Sequence, residues 1–374
     1  MIITKQDFIE SIKKTDERFE GKNKEDYLLP EYNPATHYLE IANSKYYQAL
    51  IVLRDNVKQS CDFYWRHMQG AYNTDLFMIT PSVSSPMGPG SDSEVVHIKF
   101  GNLNTYLVDS SQFGFEPIIL NGIDKVYCYL PSMRGENPDK RHLNQFYHCE
   151  AEIKGTLEDL IPMMEGFVKF LAESLLFTPN IINLLSVDPE KTKTYLQNIL
   201  SIEKFTEIEF SDAIELLKSN GYGDMVNVTS YGSDISSLGE FKIMEILKTD
   251  KPIWMRNFDR DRVAFYQKPH AENKNKVINA DLLFPSLTGD SFWGEIIGSG
   301  QRQDSYDEML ESLKRQNIDR TSYEWYMNLR KLENYQTTTG FGLGVERFIA
   351  WAFGRNDIKD VILYPRLKNV ATYP

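Results

Sequence analysis

The residues best equipped for chemistry fall in four short segments. The first, PSMRGENPDKRHLNQFYHCEAEI (131–153), holds Arg134 and Glu136, a polar turn, then Arg141, His142, Phe146 and Glu150. Two residues apart on a strand, Arg134 and Glu136 share one face. A guanidinium there can grip a phosphate bidentately. Glu136 can accept from an amine, and an aromatic on the return strand can stack under a purine. Alone, the segment reads equally well as an exposed hairpin with a cross-strand ion pair. The second, GFGLGVERF (340–348), sets Gly340, Gly342 and Gly344 on alternate residues just before Arg347. In a strand this bares one backbone face to a flat ligand or to another backbone. Arg347, in the first turn of the helix that follows, can point back over that face. A packed strand–helix corner is the alternative, and the spacing is not the GxGxxG of a dinucleotide site. The third, GEIIGSGQR (294–302), carries Glu295 and Arg302 around glycines. Glu295 is a candidate Mg²⁺ ligand, with Asp281 upstream as a second, because Mg²⁺ takes one or two carboxylates and completes its shell with phosphate oxygens and water. Arg302 can hold a carboxylate. In isolation an ordinary surface ion pair explains this segment as well. The fourth, SSQFGFE (110–116), places Gln112 and Glu116 four apart at a strand-to-helix transition. Its signal is the weakest and by itself favours plain packing.

These side chains need a scaffold. Residues 44–70 repeat apolar positions at Leu50, Leu53, Val57, Cys61, Tyr64 and Met68, the steps of one helical face. Gly70 is a stop signal. DLFMITP (75–81) reads as a buried strand ending at proline. VVHIKF, TYLVDS, KVYCYLP and FYHCEAEI read as antiparallel strands, and 157–176 as a long helix whose Met163, Met164 and aromatic stripe is core. A helix is expected near 211–220, strands at VAFYQKP, INADLLFP and GEIIGSGQR, and helices over 304–316 and 345–353. Strands and helices interleave without βαβ regularity, which predicts an α+β fold with an antiparallel sheet.

Composition narrows the function. The chain has 374 residues, 41% hydrophobic and 25% charged, with a net charge of −12. That is an ordinary globular composition. The acidic balance and the short basic groupings, such as Arg256-Arg260-Arg262, argue against a broad face for DNA or RNA. Apolar runs are too short to cross a membrane, and the N-terminus lacks a signal-peptide core. Three cysteines without CxxC spacing fit a reducing cytoplasm. The histidines show no metal spacing, and no GxSxG elbow is present.

In order and spacing, the segments together resemble the catalytic domain of class II aminoacyl-tRNA synthetases, nearest the asparaginyl/aspartyl subgroup. The helix at 44–70 with DLFMITP resembles the first family motif, MRGEN…RHLNQF…E the second, and GFGLGVERF…DVILYPR the third. SSQFGFE, NADLLFP, GEIIGSGQR and YEWYMNLR resemble blocks between them, and the likeness runs from about residue 45 to 368. The resemblance implies an antiparallel sheet flanked by helices, a bent ATP, Mg²⁺ and a homodimer. It also implies roles: Arg134 on the α-phosphate, Glu136 at the adenine edge or the amino acid, His142 on the outer phosphates. Phe146 and Arg347 would sandwich adenine over Gly342 and Gly344, with Arg347 also reaching the γ-phosphate. Glu295 with Asp281 would hold Mg²⁺, and Arg302 would read the substrate's carboxylate or amide end, with Gln112 and Glu116 beside it. The expected enzyme is an ATP-dependent amino-acid-activating ligase that forms AMP and pyrophosphate, with Arg134 and Arg347 as its catalytic residues.

The departures from the family pattern set the remaining expectations. Residues 1–44 are read as an N-terminal arm and 45–374 as the catalytic domain, without the anticodon-binding barrel of the synthetases. The turn in RGENPDKRHL is a residue shorter than the family's. SPMGPGSDSE stands where the family has an EGA block that holds the amino group, and YQTTTGFG stands for PHSGFG. The nucleotide half is thus kept and the amino-acid half altered. The expected function is a cytoplasmic ligase that adenylates aspartate or a related amino acid. It would pass the acyl group to ammonia or another small amine, as archaeal asparagine synthetases related to asparaginyl-tRNA synthetase do. The missing barrel and the acidic charge speak against tRNA. The alternative is a truncated asparaginyl/aspartyl-tRNA synthetase paralogue acting on tRNA or an RNA-linked acceptor.

Overall fold

A computed structural model describes residues 3–85, 93–287 and 294–373. Its centre is an eight-stranded sheet. In chain order the strands are β1 (Tyr72–Asn73), β2 (Lys125–Met133), β3 (Gln145–Lys154), β4 (Thr206–Glu209), β5 (Ile253–Arg256), β6 (Asn279–Leu283), β7 (Glu295–Gln301) and β8 (Thr338–Gly344). In space they run β1-β2-β3-β8-β7-β6-β5-β4. The six strands from β2 to β5 pair antiparallel, and the edge strands β1 and β4 join parallel. The helices that matter here are α1 (Lys5–Asp16), α2 (Lys45–Asp62), α3 (Leu157–Leu176) and α4 (Val345–Ala352).

Strand alternation divides the sheet's two faces. Cys149, Ala151 and Ile153 of β3, Phe341 and Leu343 of β8, Ile297 of β7 and Leu282 of β6 turn to one side and join the main core. The helices cover that side. Phe341 packs between Trp65 and Phe167, with ring centroids 5.2 and 5.9 Å away. α2 begins where Ser44 accepts the amide hydrogen of Tyr46. It buries Leu50, Leu53, Val57 and Cys61, runs on as a π-turn over Phe63–Met68, and stops at Gly70, whose φ is +70°. In α1, Thr4 and Asp7 form a capping box, and Phe8 stacks on Phe63 with centroids 4.5 Å apart. Residues 1–44 therefore contribute side chains to the same core as the sheet.

The other face is bare by design of the sequence. Gly298 sits opposite Gly342, and Gly300 opposite Gly340, across β7 and β8. Residues directly opposite each other project to the same side, so four glycines form one floor. The flanking strands complete the row: Glu150 pairs with Gly342, Glu152 with Gly340, and Asp281 with Gly298.

Two expected strands differ. DLFMITP forms only Ile79–Thr80, within a separate three-stranded sheet with Leu103–Leu107 and His97–Phe100, while the large sheet's edge is taken by Tyr72–Asn73. VAFYQKP is not a strand and makes only isolated bridges, Gln267 to Arg302 and Pro269 to Val277. Its apolar residues Phe265 and Tyr266 instead fill an aromatic cluster with Phe113, Tyr323 and Tyr326. Most of the SPMGPGSDSE segment, residues 86–92, lies outside the described residues.

The floor yields a stability prediction. A Cβ on Gly340 would lie 2.8 Å from the Ala151 carbonyl oxygen and would collide with the Glu152 carboxylate and the Arg302 guanidinium. Gly340→Ala should cost on the order of 3 kcal/mol, read from a urea unfolding curve. Gly342→Ala should cost less, since its Cβ would meet Glu150 at an ordinary 3.6 Å.

Candidate functional site

The floor's open end forms a cleft lined by Arg134, Glu136, His142, Phe146, Glu295 and Arg347, with Gly342 and Gly344 beneath. Every residue that the sequence assigned to the nucleotide is thus gathered in one place. Arg134 and Glu136 lie just past the end of β2, not on it as expected. The turn is tied by Asn144, whose Nδ2 donates to the Arg134 and Glu136 carbonyls at 2.8 and 2.7 Å. The Arg134 guanidinium carbon stands 5.4 Å from the centre of the Phe146 ring, a cation–π distance.

Arg347 projects from the first turn of α4 and bonds three groups. Its Nη1 donates to the Glu295 carbonyl at 3.0 Å and to Glu295 Oε2 at 3.1 Å, and its Nη2 meets His142 Nε2 at 3.1 Å. His142 Nδ1 lies 2.8 Å from Asp139 Oδ1. A guanidinium only donates and a carboxylate only accepts, so His142 carries its hydrogen on Nδ1 and is neutral. Burial, then Arg347, holds its pKa below the ordinary imidazole value.

Carboxylates sit among these cations. Burial pushes Glu295 up, yet Arg347, Arg134 and Arg141 together hold it below the usual carboxylate range. Asp281 goes the other way: burial, then Glu295 and Glu240, push it well above. Glu295 Oε1 and Asp281 Oδ1 lie 3.0 and 3.5 Å from where a Cβ on Gly298 would be, so both face that bare backbone. Two carboxylates crowded at one glycine fit the protein's share of a Mg²⁺ shell, with the other ligands left to phosphate and water. Among the described residues no cluster of three or more side chains is arranged as a complete metal site.

Three neighbours escaped the sequence reading as site residues. Arg141 is buried at the cleft, with Nη2 3.4 Å from Glu240 Oε2 and with Nε and Nη1 unpartnered. Its position beside His142 was the available signal. Glu240 also accepts the Glu295 amide hydrogen at 3.2 Å. It comes from a helix far along the chain, and no local pattern marks it. His148 lines the cleft too, and the two-residue alternation from Phe146 foreshadows it.

The residues expected to hold the amino acid lie beyond the cleft. Arg302 forms a buried bidentate pair with Glu152 over Gly340, Nε to Oε1 at 2.8 Å and Nη2 to Oε2 at 2.6 Å. Glu116 is not exposed to a ligand: Arg330 Nη2 spans both its oxygens at 2.9 and 3.0 Å, fully buried. A carboxylate so engaged is part of the packing, which corrects the expectation that it faces a pocket. Thr338 Oγ1 lies 3.1 Å from Glu116 Oε1 and 2.8 Å from Glu152 Oε1, joining the two pairs. Gln112 has a buried Nε2 near the Tyr266 hydroxyl. Behind the cleft, Glu346 accepts from Arg54 Nη2 of α2 at 2.7 Å and from the Tyr147 amide at 2.9 Å.

A family model described as "tRNA synthetases class II (D, K and N)" matches residues 29–368. The asparagine–tRNA ligase of Thermoplasma acidophilum is 29% identical over 328 residues, 86% of this chain and 70% of that protein. That of Pyrococcus furiosus is 32% identical over 272 residues, 72% of this chain and 58% of its own length. The crystal structure of asparaginyl-tRNA synthetase from Pyrococcus horikoshii complexed with asparaginyl-adenylate superposes with a TM-score of 0.79 at 27% identity, covering 93% of this chain and 76% of that one. The Entamoeba histolytica asparaginyl-tRNA synthetase complex with asparaginyl-adenylate gives 0.74 at 26% identity, covering 93% and 74%.

The buried pairs can be tested separately from chemistry. Arg330→Met strands the Glu116 carboxylate in the interior and should lower unfolding free energy by about 3–5 kcal/mol. The double variant Glu116→Gln/Arg330→Met should recover part of that loss in the same urea titration, because no lone charge is left buried.

Proposed function

Because the chain belongs to the class II tRNA synthetases of the D, K and N group, we propose that it activates an amino acid of the aspartate–asparagine kind with ATP. The products are an aminoacyl-adenylate and pyrophosphate, and the acyl group then passes to ammonia or another small amine. The observation that carries this reading is the cleft over the glycine floor, where Arg134, Arg141 and Arg347 converge on a site with unsatisfied guanidinium donors. Buried donors without partners mark a place for a polyanion. The adenylate complexes of the two similar solved structures support the same chemistry.

In this reading adenine lies between Phe146 and Arg347. Arg134 grips the α-phosphate and neutralises charge as the substrate carboxylate attacks in line, while His142 and Arg141 take the outer phosphates. Glu136 approaches the adenine edge or the amino acid. Such catalysis consists of alignment and preorganised charge. Mg²⁺ held by Glu295 and Asp281 would supply further neutralisation of the phosphates. Arg302 and Gln112 sit at the amino-acid end, where Glu152 already engages two nitrogens of Arg302. The exposed Ile51 on the outer side of α2 fits the homodimer that goes with the family. The chain would work in the cytoplasm, and no helix among the described residues is long and apolar enough to cross a membrane.

A second reading has the acyl group delivered to tRNA, and the names of the relatives favour it. The net charge of −12 favours the small acceptor. The chain spans 58% of the Pyrococcus furiosus relative, so that protein's activity is not carried over whole. Filter binding with total tRNA separates the two: tight binding that falls steeply with salt selects the second.

Pyrophosphate exchange with Mg²⁺ and ATP, run across the twenty amino acids, should single out aspartate or asparagine. Exchange with none of them overturns the reading. Arg134→Ala and Arg347→Ala should each lower exchange at least about a hundredfold with unchanged circular dichroism. Near-normal exchange in either variant would contradict the assigned roles.

A further inference from the structure

Phe146, His148, Glu150 and Glu152 alternate along β3 and so face the same side of the sheet. Phe146 marks the nucleotide end, beside Arg134, and Glu152 marks the other end, locked to Arg302. His148 stands between them, at the junction where an acyl–phosphate bond would lie. It lines the cleft. Its Nδ1 is turned away from the cleft, 2.9 Å from Ser132 Oγ and 3.6 Å from Glu150 Oε1. Its opposite edge lies over the floor, with Cδ2 3.9 Å from where a Cβ on Gly342 would be. The adjacent atom, Nε2, is thereby on the cleft side, and the imidazole is oriented from behind by the Ser132 hydroxyl, with Glu150 alongside. Glu150 is itself fixed by Ser110 Oγ and by the Ser111 amide at 2.8 Å. A nucleophile's base oriented by a third group is a recurrent catalytic arrangement.

We propose that His148 is the general base for the second half of the reaction, taking a proton through Nε2 from the amine that attacks the aminoacyl-adenylate. This rests on the adenylating function given above. Ammonia attacks the acyl carbon and a C–N bond forms, leaving positive charge on nitrogen. One proton passes from that nitrogen to His148 Nε2. The tetrahedral centre then collapses, the acyl C–O bond breaks, and its electron pair leaves with the phosphate of AMP. The proton on His148 is released to that phosphate or to solvent.

The surroundings suit the role. Burial first, then Arg134 and Arg347, holds the His148 pKa down to about 3, so the free site presents a neutral imidazole. The adenylate's phosphate seated on Arg134 would offset that arginine's effect and make His148 a better proton acceptor once the adenylate has formed. Among the described residues on that side, Glu150 and Cys128 are both pushed toward their neutral forms by burial, and Asp109 pushes Glu150 further the same way. Arg134, Arg141, Glu136, Glu295 and His142 face the cleft from the remaining walls.

The test compares wild type with His148→Asn, which keeps a side-chain amide near Ser132 Oγ. Three rates are read with whichever amino acid supports exchange: pyrophosphate exchange, amide formation from ammonium chloride, and hydroxamate formation from hydroxylamine. Hydroxylamine's nitrogen becomes a much stronger acid after attack and loses its proton to water unaided. General-base catalysis contributes roughly a hundredfold or more. The ammonium-dependent rate should therefore fall at least about a hundredfold relative to both other rates. Equal losses in all three, or an undiminished ammonium rate, would overturn the assignment while leaving adenylation standing. Exchange in wild type without any transfer to ammonium would overturn it too. No exchange in wild type would overturn adenylation itself, and the base with it.

Discussion

Gly298, Gly300, Gly340 and Gly342 meet across β7 and β8, and the absence of side chains there governs the rest of the molecule. One face of the sheet can be filled with Phe341, Leu343 and Ile297 because the helices supply matching apolar surface. The other face is empty at its centre and must be furnished from its margins. The neighbouring elements do so with polar and titratable groups: His148, Glu150 and Glu152 from β3, Asp281 from β6, and Arg347 from the first turn of α4. Ionisable groups can sit this deep because they stand against backbone instead of hydrocarbon, and because most find a partner.

The two ends of the floor treat charge differently. Over Gly340, Arg302 and Glu152 satisfy each other in a dry pair, with Glu116 and Arg330 behind them. Over Gly342 and Gly344 the balance is left open, since Arg134 and Arg141 keep guanidinium nitrogens without partners. Closed pairing lends rigidity, and open pairing lends affinity for an anion. The sheet thus carries a fixed anchor and a receptive site side by side, a few residues apart on the same strands.

Much of this was legible from residue order. Alternation at Gly340, Gly342 and Gly344 announced a bare strand face, and Arg347 in the next helical turn announced its cover. What the bare face accommodates was less visible, because Gly340 serves a protein ion pair and only Gly342 and Gly344 border the cleft. Arg302 stood out as a guanidinium, but its partner Glu152 depends on the pairing of β3 with β8, which no local pattern encodes. Glu240 reaches the site from a distant helix for the same reason. VAFYQKP misled because β-branched and aromatic residues suit a strand and an aromatic cluster alike.

The family sets the outline of the chemistry, and the nucleotide cleft and the closed Arg302–Glu152 pair meet along one strand, β3. His148 and Glu150 lie next to each other on the same face of β3, and the hydrogen bond between His148 Nδ1 and Ser132 Oγ orients the imidazole.

Glu346 has a wider consequence. Its carboxylate is held by Arg54 of α2 on one oxygen and by the Tyr147 amide of β3 on the other, and the next residue is Arg347. The start of the helix that carries Arg347 is therefore tied to both a helix and a strand from elsewhere in the chain. A cut at either end, Arg54 or Tyr147, would free the carboxylate that stands next to the cleft's covering arginine.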